Sequence, residues 1–286
     1  MTTLEDFNND EAIAWCPGCG NHSILQALKN AFVELKKKPS EILIVSGIGQ
    51  APKTPHYLRC NAFNGLHGRT LPVATGVKLS NHELMVLAEG GDGDGFAEGG
   101  NHFIHAMRRN IDITYLVHNN QVYGLTKGQT SPVSEKGYVS KTTPKGSLNP
   151  PMMPVLLAIA SDCSFVARGF AGDGEHLTGL IKEGITHKGF AFIEILQPCV
   201  SFNKVNTFQW YKDRVYKITN EREYDPGNRN LAFERSQEWG ERIPIGVIYK
   251  TERPTLDEQE QAIKEMSLVK QKVDPLSFEG ILESFR

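Results

Sequence analysis

Five short apolar runs, at residues 41–46, 85–89, 113–118, 165–168 and 191–196, recur along this chain with helical patterns between them. Runs of this kind read as buried strands, and the patterns at residues 21–37, 98–109, 153–161 and 174–187 read as the helices that connect them. Strand and helix in alternation call for right-handed crossovers. The expected fold is therefore α/β, with a mainly parallel sheet covered by helices on both faces. Asn21 reads as the N-cap of the first helix, and Arg108, Arg109 and Asn110 as the charged, Asn-terminated stop of the second.

The 286 residues suffice for one large domain and a tail. With 40% hydrophobic residues, 22% charged residues and a formal net charge of −2, no global field calls for nucleic acid or an anionic membrane. Residues 1–11 are polar and acidic, and no stretch approaches the ~18 apolar residues of a membrane span, so a cytoplasmic protein is expected. Five cysteines, an odd number, argue against a disulfide framework and for metal or cluster ligation. The loops at 50–68 and 126–151 are long and polar, the mark of a lid or of a contact between subunits. After Cys199 the pattern turns irregular and charged, and residues 255–272 read as a surface helix capped by Thr255.

The run ending at Glu89 leads straight into Gly90-Gly91-Asp92-Gly93-Asp94-Gly95 and then a helix. That places small residues and carboxylates at the carboxyl end of a strand, where open α/β sheets bind ligands. Glycines let backbone amides approach a diphosphate, and Asp92 has the chemistry to hold a divalent cation against it. Alone, the Gly-Asp-Gly is equally a flexible turn. Its weight comes from the next strand, which ends in Asn119-Asn120, one βαβ step after Gly91 and with a hard amide oxygen for the same cation. This pairing resembles the thiamine diphosphate motif, which implies Asp92, Asn120 and the backbone carbonyl of Val122 as magnesium ligands.

Cys16-Pro17-Gly18-Cys19 is a turn that sets two thiolates on one metal or cluster, with Cys199 a distant third, although a CxxC equally suits zinc or redox chemistry. Trp15-Cys16-Pro17-Gly18-Cys19-Gly20, Gly47-Ile48-Gly49, Leu66-His67-Gly68-Arg69, Gly91-Asp92-Gly93-Asp94 and Tyr123-Gly124-Leu125-Thr126-Lys127-Gly128-Gln129 together resemble the β subunits of 2-oxoacid:ferredoxin oxidoreductases. The resemblance runs from about Trp15 to Asn203, and Tyr249 to Thr255 extends it.

That resemblance implies a thiamine diphosphate-binding domain over residues 1–203, with an N-terminal cluster segment, and an extension over 204–286 that packs on the domain or on a partner. It implies cofactor contacts from Gly47, Ile48, Gly49, His67, Gly91, Asp92, Gly93, Asp94, Asn120, Val122, Gly124 and Leu125. It also implies a [4Fe–4S] cluster on four cysteines, of which Cys16, Cys19 and Cys199 are matched. The fourth normally follows Gly-Ile-Gly; Gln50 stands there, and Cys60, ten residues later, is the expected substitute. Cys163 is expected to be an inert buried thiol, and His102 and His105 helix-face residues rather than a metal pair. His67 and Lys127 are the candidate catalytic residues, Lys127 suiting the distal carboxylate of a dicarboxylic 2-oxoacid such as 2-oxoglutarate.

The implied reaction is decarboxylation of a 2-oxoacid to an acyl-CoA and CO2 with reduction of ferredoxin, or its reverse, reductive carboxylation. The implied assembly is an αβ heterodimer or (αβ)2, inactive without the α subunit that carries the pyrimidine-binding domain and the coenzyme A site. Competing readings are a pyruvate-specific oxidoreductase, a non-oxidative thiamine decarboxylase or carboligase, and a zinc-stabilised subunit without catalysis.

Overall fold

The computed structural model describes residues 2–272 and 275–286. In chain order its strands are β1 (Ile42–Ser46), β2 (Asn61–Asn64), β3 (Met85–Gly91), β4 (Thr114–Asn119), β5 (Val122–Tyr123), β6 (Gln129–Thr130), β7 (Phe165–Phe170), β8 (Ala191–Leu196), β9 (Val215–Lys217) and β10 (Ile243–Lys250). The helices that matter below are α1 (Gly20–Glu34), α2 (Thr70–Ser80), α3 (Gly100–Arg109), α4 (Pro154–Ala160), α5 (Gly174–Thr186), α6 (Phe208–Lys212), α7 (Arg229–Ser236) and α8 (Leu256–Gln259). Eight strands form one sheet in the order β2-β1-β3-β4-β8-β7-β10-β9; its pairings are parallel except that β10 runs antiparallel to β7, and β5 and β6 form a separate hairpin.

The five predicted runs are β1, β3, β4, β7 and β8. They are mainly apolar because helices cover both faces of the sheet, and charged side chains among them are buried in pairs, His118 with Glu89 at 2.7 Å and Arg168 with Glu194 at 2.7 Å. Alternate side chains serve opposite layers, as strand geometry demands. Leu87, Leu116 and Ile193 pack with Ile24, Leu28 and Phe32 of α1 and Leu177 and Ile181 of α5. Val86, Tyr115 and Phe192 pack on the other side with Leu71 of α2, Phe103 of α3 and Val155 of α4. Each such side chain contributes about 1.5–3 kcal/mol by leaving water.

Several details differ from expectation. Cys19, not Asn21, holds the N-cap position of α1; Asn21 is buried in the first turn, its Oδ1 2.9 Å from Nδ1 of His118, a buried partner that outcompetes capping. The Gly-Asp-Gly segment enters α3 through a wide turn, Gly93–Glu98, before the helix proper. Asn110 does end α3, in the left-handed conformation at φ 49°. The helix expected over 255–272 stops after one turn, α8, which Thr255 and Glu258 close with a capping box. Beyond it Ile263 is drawn into the interior and Lys270 pairs with Glu83 at 2.6 Å, so tertiary anchors take the chain off the helical path. Strands β9 and β10, from residues beyond 204, extend the same sheet past β7.

Candidate active site

Strands β3 and β4 are neighbours, with Gly91 opposite His118, so the residues that follow each strand emerge side by side at the carboxyl edge of the sheet. That register is why a one-crossover spacing brings Asp92 to Asn120. One cleft is lined by Ile48, Gly49, His67, Gly91, Asp92, Gly93, Asp94, Asn120, Val122, Gly124 and Leu125. Gly47 lies just behind it, where an added Cβ would strike Asp94 Oδ2. Lys127 is not part of the lining; it stands exposed two residues past Leu125 with φ at 82°, and joins no ion pair among the described residues.

Asp92 is 1% exposed, and its Oδ2 is buried without a hydrogen-bond partner among the described residues. Burial pushes its carboxyl up to about 7, against the pull of the Ser131 hydroxyl and the Asn120 N–H. A buried carboxylate in that position is stabilised by a cation, and oxygen donors of this kind suit a hard divalent one. Asn120 accepts the Val122 N–H at 3.1 Å through Oδ1, donates from Nδ2 to Gln197 Oε1 at 2.8 Å, and receives Asn203 Nδ2 on its backbone carbonyl at 3.1 Å.

Asp94 does a different job. Its Oδ1 accepts the N–H of Ile48 at 2.9 Å and of Gly68 at 2.8 Å and lies 2.7 Å from Nδ1 of His67, while Oδ2 receives the Thr70 hydroxyl at 3.3 Å. One carboxylate thus binds the Gly47-Ile48-Gly49 loop, the His67-Gly68 turn and the start of α2 to the floor of the cleft. Gly68, at φ 71°, has no room for a Cβ beside Glu98, and Gly93 has none beside the Tyr123 ring. The Tyr123 hydroxyl donates to Glu98 at 3.2 Å. Arg69 turns away from the cleft, with NH1 2.9 Å from Nε2 of His102.

The cysteines separate into three groups. Cys16, Cys19 and Cys199 line a second, smaller cavity together with Asn21, Gln50, Asn120, Gly124 and Gln197, so the two cavities share a wall. Cys16 receives a hydrogen bond from the Ser201 hydroxyl at 3.0 Å, and Cys19 one from Gln197 Nε2 at 3.4 Å. Burial raises the Cys19 thiol to about 11, and the two neighbouring cysteines add to the rise. Cys60 is not brought there. Asn61 pairs with Leu43 near the start of β1, which sets Cys60 at the amino edge of the sheet, packed against the layer that holds α1. Gln50 follows the carboxyl end of the same strand, roughly 13 Å away along the strand direction even before the loop is counted. The expectation that Cys60 completes the set is therefore corrected: parallel register places it at the wrong end. Cys163 is fully buried, its thiol pushed by burial up to about 12. Among the described residues no three His, Cys, Asp or Glu side chains close on a point that a single ion would fill.

Residues 46–195 match the family described as thiamine pyrophosphate enzyme, C-terminal TPP binding domain, and residues 199–265 match the family described as the C-terminal part of the pyruvate ferredoxin oxidoreductase beta chain. The chain is 45% identical over 260 residues to the 2-oxoacid:ferredoxin oxidoreductase subunit beta of a Sulfolobus species, covering 87% of this chain and 85% of that one. It belongs to the 2-oxoacid:ferredoxin oxidoreductase β subunits. Such a β subunit is part of an oxidoreductase enzyme and has an α subunit as partner. The 2-oxoglutarate oxidoreductase subunit KorB of Mycobacterium tuberculosis is 46% identical over 199 residues, 70% of this β subunit and 53% of that protein. In structure it is similar to a 2-oxoglutarate:ferredoxin oxidoreductase from Magnetococcus marinus with 2-oxoglutarate, coenzyme A and succinyl-CoA bound, at a TM-score of 0.91 and 35% identity over 98% of this chain and 96% of that one. The cleft lining, from Ile48 to Leu125, falls inside the thiamine-binding match, and its orphaned Asp92 oxygen fits a cofactor that arrives with a cation. No described helix is long and apolar enough to cross a membrane.

Sequence reasoning passed over Gln197, Ser131 and Asn203. Gln197 directly follows β8 at the edge where ligands gather, a positional signal that would have flagged it. Ser131 and Asn203 reach the site through loop paths that no local pattern announces.

Proposed function

We propose that this β subunit, assembled with its α partner, oxidatively decarboxylates a 2-oxoacid, 2-oxoglutarate by preference, with coenzyme A as acyl acceptor and ferredoxin as electron acceptor. One 2-oxoacid, one CoA thiol and two oxidised ferredoxins give acyl-CoA, CO2, two reduced ferredoxins and one proton. The observation that carries this reading is the buried Oδ2 of Asp92, without a partner among the described residues, in a glycine-lined cleft that Asn120 also lines and that lies within the thiamine-binding match. Substrate preference is supported by the 2-oxoglutarate oxidoreductases among the relatives and the solved structures.

Magnesium fits between Asp92, Asn120 and the carbonyl of Val122. The Asn120 Oδ1 that accepts the Val122 N–H keeps a second lone pair for the ion. When bound, thiamine diphosphate supplies a carbanion that adds to the keto carbon and an electron sink for the decarboxylated product. Gly91, with open space where a side chain would stand, would let the diphosphate come close to the backbone amides. His67, held through Nδ1 by Asp94, keeps Nε2 to hold or release a proton at the cleft. Lys127, exposed two residues past Leu125, has the charge to receive the distal carboxylate of a dicarboxylic substrate. Cys16, Cys19 and Cys199, in the cavity that shares a wall with the cleft, would hold an iron–sulfur cluster, which would supply one-electron transfer. Phe63 and Leu66, exposed on the β2 side beside His67, fit the α partner as the cover of the cleft.

The test is co-expression of both subunits under anaerobic conditions, with thiamine diphosphate content and 2-oxoacid-dependent ferredoxin reduction measured on the purified complex. Stoichiometric cofactor and faster reduction with 2-oxoglutarate than with pyruvate are expected. A complex that binds no thiamine diphosphate in the presence of Mg2+ sinks the reading.

A further inference from the structure

Gln50 follows Gly47-Ile48-Gly49 and lines the cavity that also holds Cys16, Cys19 and Cys199. Its backbone carbonyl accepts the indole N–H of Trp15 at 2.8 Å, which fixes it beside Cys16. Its side chain lines both the small cavity of Cys16, Cys19 and Cys199 and the neighbouring cleft, and its Oε1 is buried without a hydrogen-bond partner among the described residues. A buried amide oxygen left unpaired is destabilising, so its place beside three cysteines points to a group that it meets when the site is filled.

We infer that the cluster of this chain is bound by three thiolates and one carboxamide, with Gln50 Oε1 at the fourth corner, leaving one iron weakly held and open to other ligands. This rests on the cluster reading proposed above and departs from the four-cysteine set that the family resemblance implies. Cys60 is excluded as the fourth donor by its place at the amino edge of β1, facing the apolar layer. Thiolates bind iron as soft, charged donors; a neutral amide oxygen is a far weaker partner, so the iron facing Gln50 is the one that exchanges first. Hydrogen bonds from Ser201 to Cys16 and from Gln197 to Cys19 stabilise the other corners.

The inferred lability has a balanced chemistry. On mild oxidation [4Fe–4S]2+ gives [3Fe–4S]+, one Fe2+ and one electron, and ferricyanide accepts the electron. Fe2+ with a reductant reverses the step.

The experiment is a ferricyanide titration of the anaerobically purified αβ complex, followed by electron paramagnetic resonance and iron analysis, in the native protein, Gln50→Cys and Cys60→Ala. The native complex should develop a [3Fe–4S]+ signal and lose about one iron of each four in that cluster. Gln50→Cys should suppress the signal, and Cys60→Ala should leave it unchanged. A signal of equal size in Gln50→Cys overturns the inference, as does loss of the cluster in Cys60→Ala. Should Gln50→Cys fail to assemble, 2-mercaptoethanol added to the reduced native complex decides: a shifted resonance supports an open iron, and an unmoved one overturns it. Zinc without sulfide would remove the cluster reading altogether, while thiamine diphosphate content, measured on the same sample, reports separately on the proposed function.

Discussion

Asn120 and Gln197 are joined side chain to side chain, Nδ2 of the asparagine donating to Oε1 of the glutamine at 2.8 Å, and the same glutamine donates from Nε2 to Cys19 at 3.4 Å. One carboxamide therefore orients both a proposed cation ligand and a proposed cluster ligand. With Nδ2 engaged, the Asn120 oxygen is forced toward Val122 and the cleft. Gln197→Leu removes that constraint without adding charge. Support of this kind around a metal ligand is worth 10- to 100-fold in affinity, so Mg2+-dependent retention of thiamine diphosphate should weaken by about that factor. Equilibrium dialysis of the αβ complex measures it; unchanged retention would show that Asn120 holds its orientation unaided.

The Gly47 and Asp94 pair gives a steric prediction. No side chain fits at Gly47, because its Cβ would enter the space of Asp94 Oδ2, and Asp94 cannot retreat without releasing Ile48, His67 and Gly68. Gly47→Ala should therefore abolish cofactor binding while the strands beneath stay folded. Asp94→Ala should go further and lower stability by roughly 3–5 kcal/mol, because the buried donors lose a charged acceptor. Thermal denaturation separates the two variants: a native-like melt for Gly47→Ala beside a depressed one for Asp94→Ala is the expected pattern.

The sheet and the site were legible to different degrees for physical reasons. Runs such as Ile113 to His118 announce themselves because a strand buried on both faces is mostly apolar, here through Ile113, Tyr115, Leu116 and Val117. The Asp92–Asn120 pairing is readable because one crossover of fixed length fixes the neighbour. Strand β10 escaped notice: Pro244 and a left-handed Gly246 interrupt it, and its bulge between Val247 and Tyr249 breaks the pattern. Helix α2 is disguised by Pro72 and Gly76. The place of Cys60 could not be read because it depends on the register of β2 against β1, a non-local pairing. Gln197 was detectable by its place directly after β8, and only its partners, Asn120 and Cys19, are set by non-local pairing.

His187 offers a pH dependence independent of the cofactor. Burial, with Lys250 nearby, lowers its pKa from 6.5 to about 4, and its Nε2 lies 2.8 Å from the Ser164 hydroxyl in the neutral state. Between pH 6.5 and 4 the unfolded chain binds a proton at this position that the folded chain does not. Stability from this group is therefore fully present above 6.5 and lost as pH falls toward 4. His187→Gln should flatten that part of the stability curve, read as the urea midpoint at pH 7 and at pH 4.5. An equal drop in both proteins would assign the acid sensitivity to other groups.

Lys127 is a non-glycine residue at φ 82°, exposed, in a turn closed by the Gly128 N–H on the Tyr123 carbonyl at 2.9 Å. Glycine would be relieved there, since only it adopts that conformation freely, so the presence of a lysine points to the side chain rather than the turn. If the ammonium receives the distal carboxylate of the substrate, Lys127→Met should lower kcat/KM for 2-oxoglutarate by about 10- to 100-fold, the effect of losing one charge-assisted contact of about 1.5–3 kcal/mol. Pyruvate, which has no distal carboxylate, should be converted as before. Lys127→Gly separates backbone from side chain: it eases the turn yet should show the same loss with 2-oxoglutarate. Equal losses with both substrates would instead place Lys127 in the cofactor's binding, and no loss with either would leave the specificity to the α subunit.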